Sequence, residues 1–139
     1  MGSVSLWENQ ALPGSGGVLT SDGIDIEGYK FVAITGTYQR GGNGGEVGIF
    51  IEFGNDEINL WRQQSAVSDV SVPPGVDTVT QIQKNIYAHK PNSAVVSTFG
   101  FSITDGTKIN ASKMRVNIFE RGNQGSPGTA SLEVVRRKE

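Results

Sequence analysis

Residues 29–53 read YKFVAITGTYQRGGNGGEVGIFIEF, two apolar runs about a glycine-rich centre. In the first run Phe31, Val32, Ile34, Thr35, Thr37 and Tyr38 are β-branched or aromatic, types that pack well on a pleated surface. Its apolar residues fall on both parities, as in a strand covered on both faces. In the second run Val47, Ile49, Ile51 and Phe53 share one parity, against Gly48, Phe50 and Glu52. That alternation marks a strand with one strongly buried face. Gly41, Gly42, Gly44 and Gly45, with Asn43, can supply the positive φ angles of a reversal. The stretch predicts a central β-hairpin and sets the class as all-β.

The same reading extends outward. Ser3–Trp7 is a short strand with Trp7 as a core anchor, followed by a loop over Glu8–Gly17. Val18–Ile26 alternates weakly, and Ile58–Arg62 follows a turn at 54–57. Val76–Ala88 fits a helix face through Val79, Ile82 and Ile86, but its β-branched density favours strand. Ala94–Ile103 alternates through Val95, Phe99, Phe101 and Ile103, and Ser112–Arg121 through Met114, Val116 and Ile118. Ala130–Arg136 closes the chain after a Gly/Pro/Ser loop at 122–128. About seven to nine strands at regular spacing predict an antiparallel β-sandwich or barrel. The expected core is Phe31, Ile34, Val47, Ile49, Ile51, Phe99, Phe101, Val116 and Ile118. We read 1–139 as one domain, with 1–17 as a loosely attached N-terminal segment.

Composition narrows the function classes. The 139 residues hold no cysteine, which excludes disulfides and thiolate metal sites. A net charge of −2 is not the basic balance that phosphate binding needs, so no nucleic-acid partner is expected. No apolar run approaches the ~18 residues of a membrane span, so no membrane partner is expected. No export signal is visible at the N-terminus, and synthesis in the cytoplasm is expected. Glycine, 19 of 139, lies between apolar runs, as in many short strands joined by tight turns.

Candidate chemistry is sparse. The glycine run at 41–45 precedes a strand, whereas a phosphate loop precedes a helix and usually carries a lysine. Ser15 lacks the spacing of a nucleophile elbow. His89, the only histidine, stands before Lys-Pro and is expected at the surface. The carboxylates Asp22, Asp25 and Glu27, and then Glu52, Asp56 and Glu57, match no calcium loop. No metal, cofactor or enzymatic activity is expected. Among the aromatics Trp7, Trp61, Tyr87 and Phe119, Trp61 enters a polar stretch and is the best surface-facing candidate.

Three stretches carry a resemblance: TSDGIDIEGYKFVAITGTY at 20–38, IEFGNDEINLW at 51–61 and KMRVNIFERGNQGSPGTASLEV at 113–134. Their order resembles jelly-roll, galactose-binding-like sandwich modules, a group that includes surface domains of tailed-phage virion proteins. The resemblance implies a jelly-roll β-sandwich working in a virion, as a homo-oligomer or docked on a larger assembly. Val4, Leu6 and Trp7 are then the partner-facing candidates. The alternative is a carbohydrate-binding module with Trp61, Arg62 and Arg115 at the glycan.

Overall fold

The computed structural model describes residues 2–14, 17–41, 44–55, 60–63, 80–83, 86–91, 95–102, 112–122 and 126–138. Eleven strands and no helix occur among them. They are β1 Gly2–Ala11, β2 Leu19–Thr20, β3 Ile24–Asp25, β4 Phe31–Gln39, β5 Glu46–Asn55 and β6 Leu60–Gln63. β7 Thr80–Gln83, β8 Ile86–His89, β9 Ser97–Ser102, β10 Lys113–Arg121 and β11 Thr129–Arg137 follow. The count exceeds the expected seven to nine because two stretches read as single strands, 18–26 and 76–88, each form two.

The strands make two antiparallel sheets packed on one core. Sheet A has the order β1-β11-β4-β9. Sheet B has the order β2-β10-β5-β8-β7, with β3 also on β10 and β6 also on β5. The inward rows are Val32, Ile34 and Tyr38, Phe99 and Phe101, and Leu132 and Val134 from sheet A. Facing them from sheet B are Val47, Ile49 and Ile51, and Met114, Val116 and Ile118.

The central hairpin expected at 29–53 does not form. Both of its runs are strands, but they lie in different sheets. β4 pairs with β11 and β9, while β5 pairs with β10, β8 and β6. An arch from sheet A to sheet B therefore joins Gln39 to Glu46. Each run carries a fully buried apolar row, and facing each other across the interior covers both rows.

Other expectations divide. Strand rather than helix holds at 80–83 and 86–89, where β7 and β8 pair with each other; residues 76–79 and 84–85 lie outside the described residues. Ser3–Trp7 is strand, but the loop expected from Glu8 begins only after Ala11. β1 pairs with β11 from Gly2↔Arg136 to Ala11↔Thr129. The expected core is buried except for Phe31, which is half-exposed on the outward parity of β4 beneath the Arg137 guanidinium. Val95 precedes β9 instead of joining it and is 72% exposed. Ile103 lies outside the described residues.

Candidate functional site

The most concentrated buried chemistry lies where β4 ends, at one end of the sandwich. Glu120 continues the inward parity of Met114, Val116 and Ile118 and is 4% exposed. One carboxylate oxygen accepts the Tyr38 hydroxyl and, at 2.8 Å, the Gly41 N–H. The other accepts the Gly128 N–H at 2.8 Å. One side chain of sheet B thus ties together β4, the start of the arch and the approach to β11. A Cβ at Gly41 would overlap the Ser126 carbonyl oxygen, and one at Gly128 the Gln39 carbonyl oxygen. The glycines flanking the arch permit this close approach of backbone to carboxylate. Burial pushes the Tyr38 phenol well above its usual pKa, and the hydrogen bond and charge of Glu120 add to it. A closed cluster of this kind fixes the two sheets together.

His89 is a correction to the surface reading. It is 4% exposed, stacks on Phe99 at 5.4 Å and lies edge-on to Tyr38. Its Nε2 lies 2.8 Å from Ser97 Oγ, and that hydroxyl donates to the Tyr38 carbonyl at 3.2 Å. With its proton so directed, the serine accepts from the ring N–H. The pair ties β8 of sheet B to β4 and β9 of sheet A.

The glycan candidates do not form one described site. Arg115 donates to both oxygens of Glu52 from two nitrogens of one guanidinium edge, at 2.9 and 3.2 Å. Asn117, 3% exposed, donates to the same carboxylate at 2.8 Å and accepts from the Thr20 hydroxyl at 2.6 Å. Burial alone would raise the Glu52 pKa. The hydrogen bonds from Arg115 and Asn117, with the guanidinium charge, outweigh it and hold the carboxyl below its usual range. Trp61 stands opposite Gly54 and Arg62 opposite Phe53 in the β5–β6 ladder; their side chains lie outside the described residues.

The Glu52 shift has a measurable consequence. Its folded pKa lies below the unfolded value of roughly 4.3. Its stabilisation is therefore present above that pH and is lost as pH falls through the folded pKa. Glu52→Gln should flatten that part of the acid-unfolding curve. An acid limb identical to wild type would show that the Arg115 grip contributes nothing.

Val4, Leu6 and Trp7 pack as half-buried residues against the core. They also line a cleft of about 290 Å³ with Thr20–Ile24, where the β1 edge of sheet A faces β2 and β3 of sheet B. The register of β1 slips between Ser5 and Trp7 and again between Trp7 and Gln10. Asn9, at φ 46°, adopts the left-handed conformation that asparagine tolerates, and its N–H donates to Ser131 Oγ at 2.9 Å. Such bulges re-aim side chains, and Trp7 lines a second depression as well. That one, of about 330 Å³, lies on the outward face of sheet A among Ser5, Glu8, Thr35, Thr37, Ser131 and Glu133.

Two signals in the sequence pointed at what was missed. The parity of Met114, Val116 and Ile118 runs on to Glu120. The glycines at 41–45 and 122–128 flank two chain segments that both have to approach it. Of the acidic clusters, Asp25 caps its own turn by accepting the Glu27 N–H at 3.0 Å, and Asp56 and Glu57 lie outside the described residues. Among the described residues no three His, Asp or Glu side chains converge as metal ligands. No family model, curated protein or solved structure matches the chain.

Proposed function

We propose that the chain is a non-enzymatic structural or decoration-type module of a phage virion, of jelly-roll type, acting through protein–protein surfaces. The observation that supports this most is the strand order. Counting β2 with β3 as one interrupted strand, the chain visits sheet A with β1, sheet B with β2/β3, sheet A with β4, and sheet B with β5 to β8. It then takes β9 in A, β10 in B and β11 in A. Alternation of this kind fits a two-sheet, double Greek-key jelly roll, an architecture used by viral capsid and lectin domains. The step from fold to virion is an analogy. The docking surface we assign is the open edge, where Val4, Leu6 and Trp7 line the cleft.

The test is incorporation. Leu6→Glu places a charge in that cleft, and the variant chain should stay folded by circular dichroism yet be depleted from purified particles. A folded variant incorporated at the wild-type level would remove the open edge as the docking surface. Wild-type chain that never co-purifies with particles would remove the virion reading itself.

A carbohydrate-binding reading has one observation in its favour. The depression on sheet A is lined by Trp7 together with hydroxyl-bearing residues and two carboxylates, residue types that stack on and hydrogen-bond to sugars. In that reading Trp7 takes the role expected of Trp61.

A further inference from the structure

The depression beside Trp7 is acidic. Its charged lining residues are Glu8 and Glu133, and no cationic side chain lines it. The Ser3 and Thr35 hydroxyls hold the Glu133 carboxylate at 2.9 and 3.2 Å. A carboxylate offers about four acceptor positions, so capacity remains. Two carboxylates with no cationic neighbour are a setting that favours a cation over a neutral ligand.

A matching cation stands on the same face. Arg137 is exposed, and its guanidinium lies 4.3 Å from the centre of the Phe31 ring. Among the described residues no carboxylate pairs with it, whereas Arg115 and Arg121 pair with Glu52 and Glu46. Stacking on Phe31 restrains the side chain, so less freedom is lost when it pairs. Glu133 and Arg137 share the outward parity of β11, four positions or roughly 13 Å apart. That separation is beyond the reach of an ion pair within one molecule. A two-fold axis lying in the plane between two facing sheets, perpendicular to β11 and midway between these residues, brings Glu133 of each copy over Arg137 of the other, the requirement for a closed, self-complementary contact.

We propose that two copies of this chain pair through the outward faces of sheet A, each seating its Arg137 in the Trp7–Glu8–Glu133 depression of the other. The site is incomplete without the second copy. This surface shares Ser5 and Trp7 with the open edge assigned to particle docking, but Glu133 lines only the depression and Leu6 only the cleft, so the two can fail separately.

Sedimentation velocity on the full chain tests it. Wild type should dimerise, less tightly at high salt because the contact is ionic. Arg137→Glu and Glu133→Lys should each weaken the dimer by about tenfold or more. Mixing the two variants in equal amounts should restore it, because both contacts then join opposite charges. That recovery also shows that neither variant is merely misfolded. A monomeric wild type, or a dimer indifferent to both substitutions, overturns the proposal. A second measurement uses the Glu133 backbone N–H resonance of the Arg137→Glu chain. Titration with N-acetyl-arginine amide should shift it. A shift produced by a neutral disaccharide and not by the arginine amide would overturn the cation assignment in favour of the carbohydrate reading.

Discussion

Replacing Glu120 with leucine should destabilise the protein by at least about 3 kcal/mol, because three buried donors lose their acceptor at once and each such loss costs roughly 1–3 kcal/mol. The three are the Tyr38 hydroxyl and the N–H groups of Gly41 and Gly128. Against the ~5–15 kcal/mol that holds a domain of this kind folded, that is a large share. Glutamine sharpens the test. It matches the carboxylate in size, but one of its two terminal atoms is an NH₂, which can only oppose a donor. Glu120→Gln should therefore lie closer to leucine than to wild type in chemical denaturation. A glutamine variant within about 0.5 kcal/mol of wild type, the spread of an ordinary surface change, would show that the carboxylate acts as filler and not as an acceptor.

Phe101→Ala should cost about 3–5 kcal/mol, the usual range for truncating a buried phenylalanine. Phe101 is fully buried, and its ring stacks at 4.2 Å on Tyr87. The pair joins β9 of sheet A to β8 of sheet B, so truncation opens a cavity where the two sheets meet. The stack adds about 0.5–1.5 kcal/mol beyond the area buried. Ile49→Ala, on the facing row of β5, should cost about 2–5 kcal/mol by the same cavity argument. Near-wild-type stability of both variants would reject the assignment of these rows to the interior.

What was legible in the sequence was set by period, and what was not was set by partnership. Alternation placed Val47, Ile49, Ile51, Phe99, Phe101, Val116 and Ile118 in the core, because parity is a local property of a strand. The choice of pairing partner is not local. The turn chemistry at 41–45 suits a hairpin, and only the presence of β11, β9, β10 and β8 turns the same residues into an arch. His89 was misread for a related reason. Its neighbours Lys90 and Pro91 look like a turn, while the groups that bury it, Phe99, Ser97 and Tyr38, come from sheet A. The candidate site suffered most. Trp7 gains its place beside Glu133 from two register slips in β1 and from pairing with the far end of the chain, which no window of sequence contains. Arg115 looked available because its partner Glu52 lies on another strand.

The pairing of β1 with β11 bears on how the chain acquires its structure. Gly2 stands opposite Arg136, so one ladder joins segments separated by nearly the whole sequence. Topologies dominated by distant contacts fold slowly, in milliseconds to seconds, because much chain must be brought together before the contacts repay it. Of the described strands β1 is made first on the ribosome, yet its hydrogen-bonding partner β11 is made after all the others. Sheet A cannot be completed before then, and until it is, Val4, Leu6 and Trp7 have no β11 backbone to register against. Nascent chains stalled short of Thr129 should therefore be more protease-sensitive in β1 than the released protein, and β1 should be the last strand to gain protection.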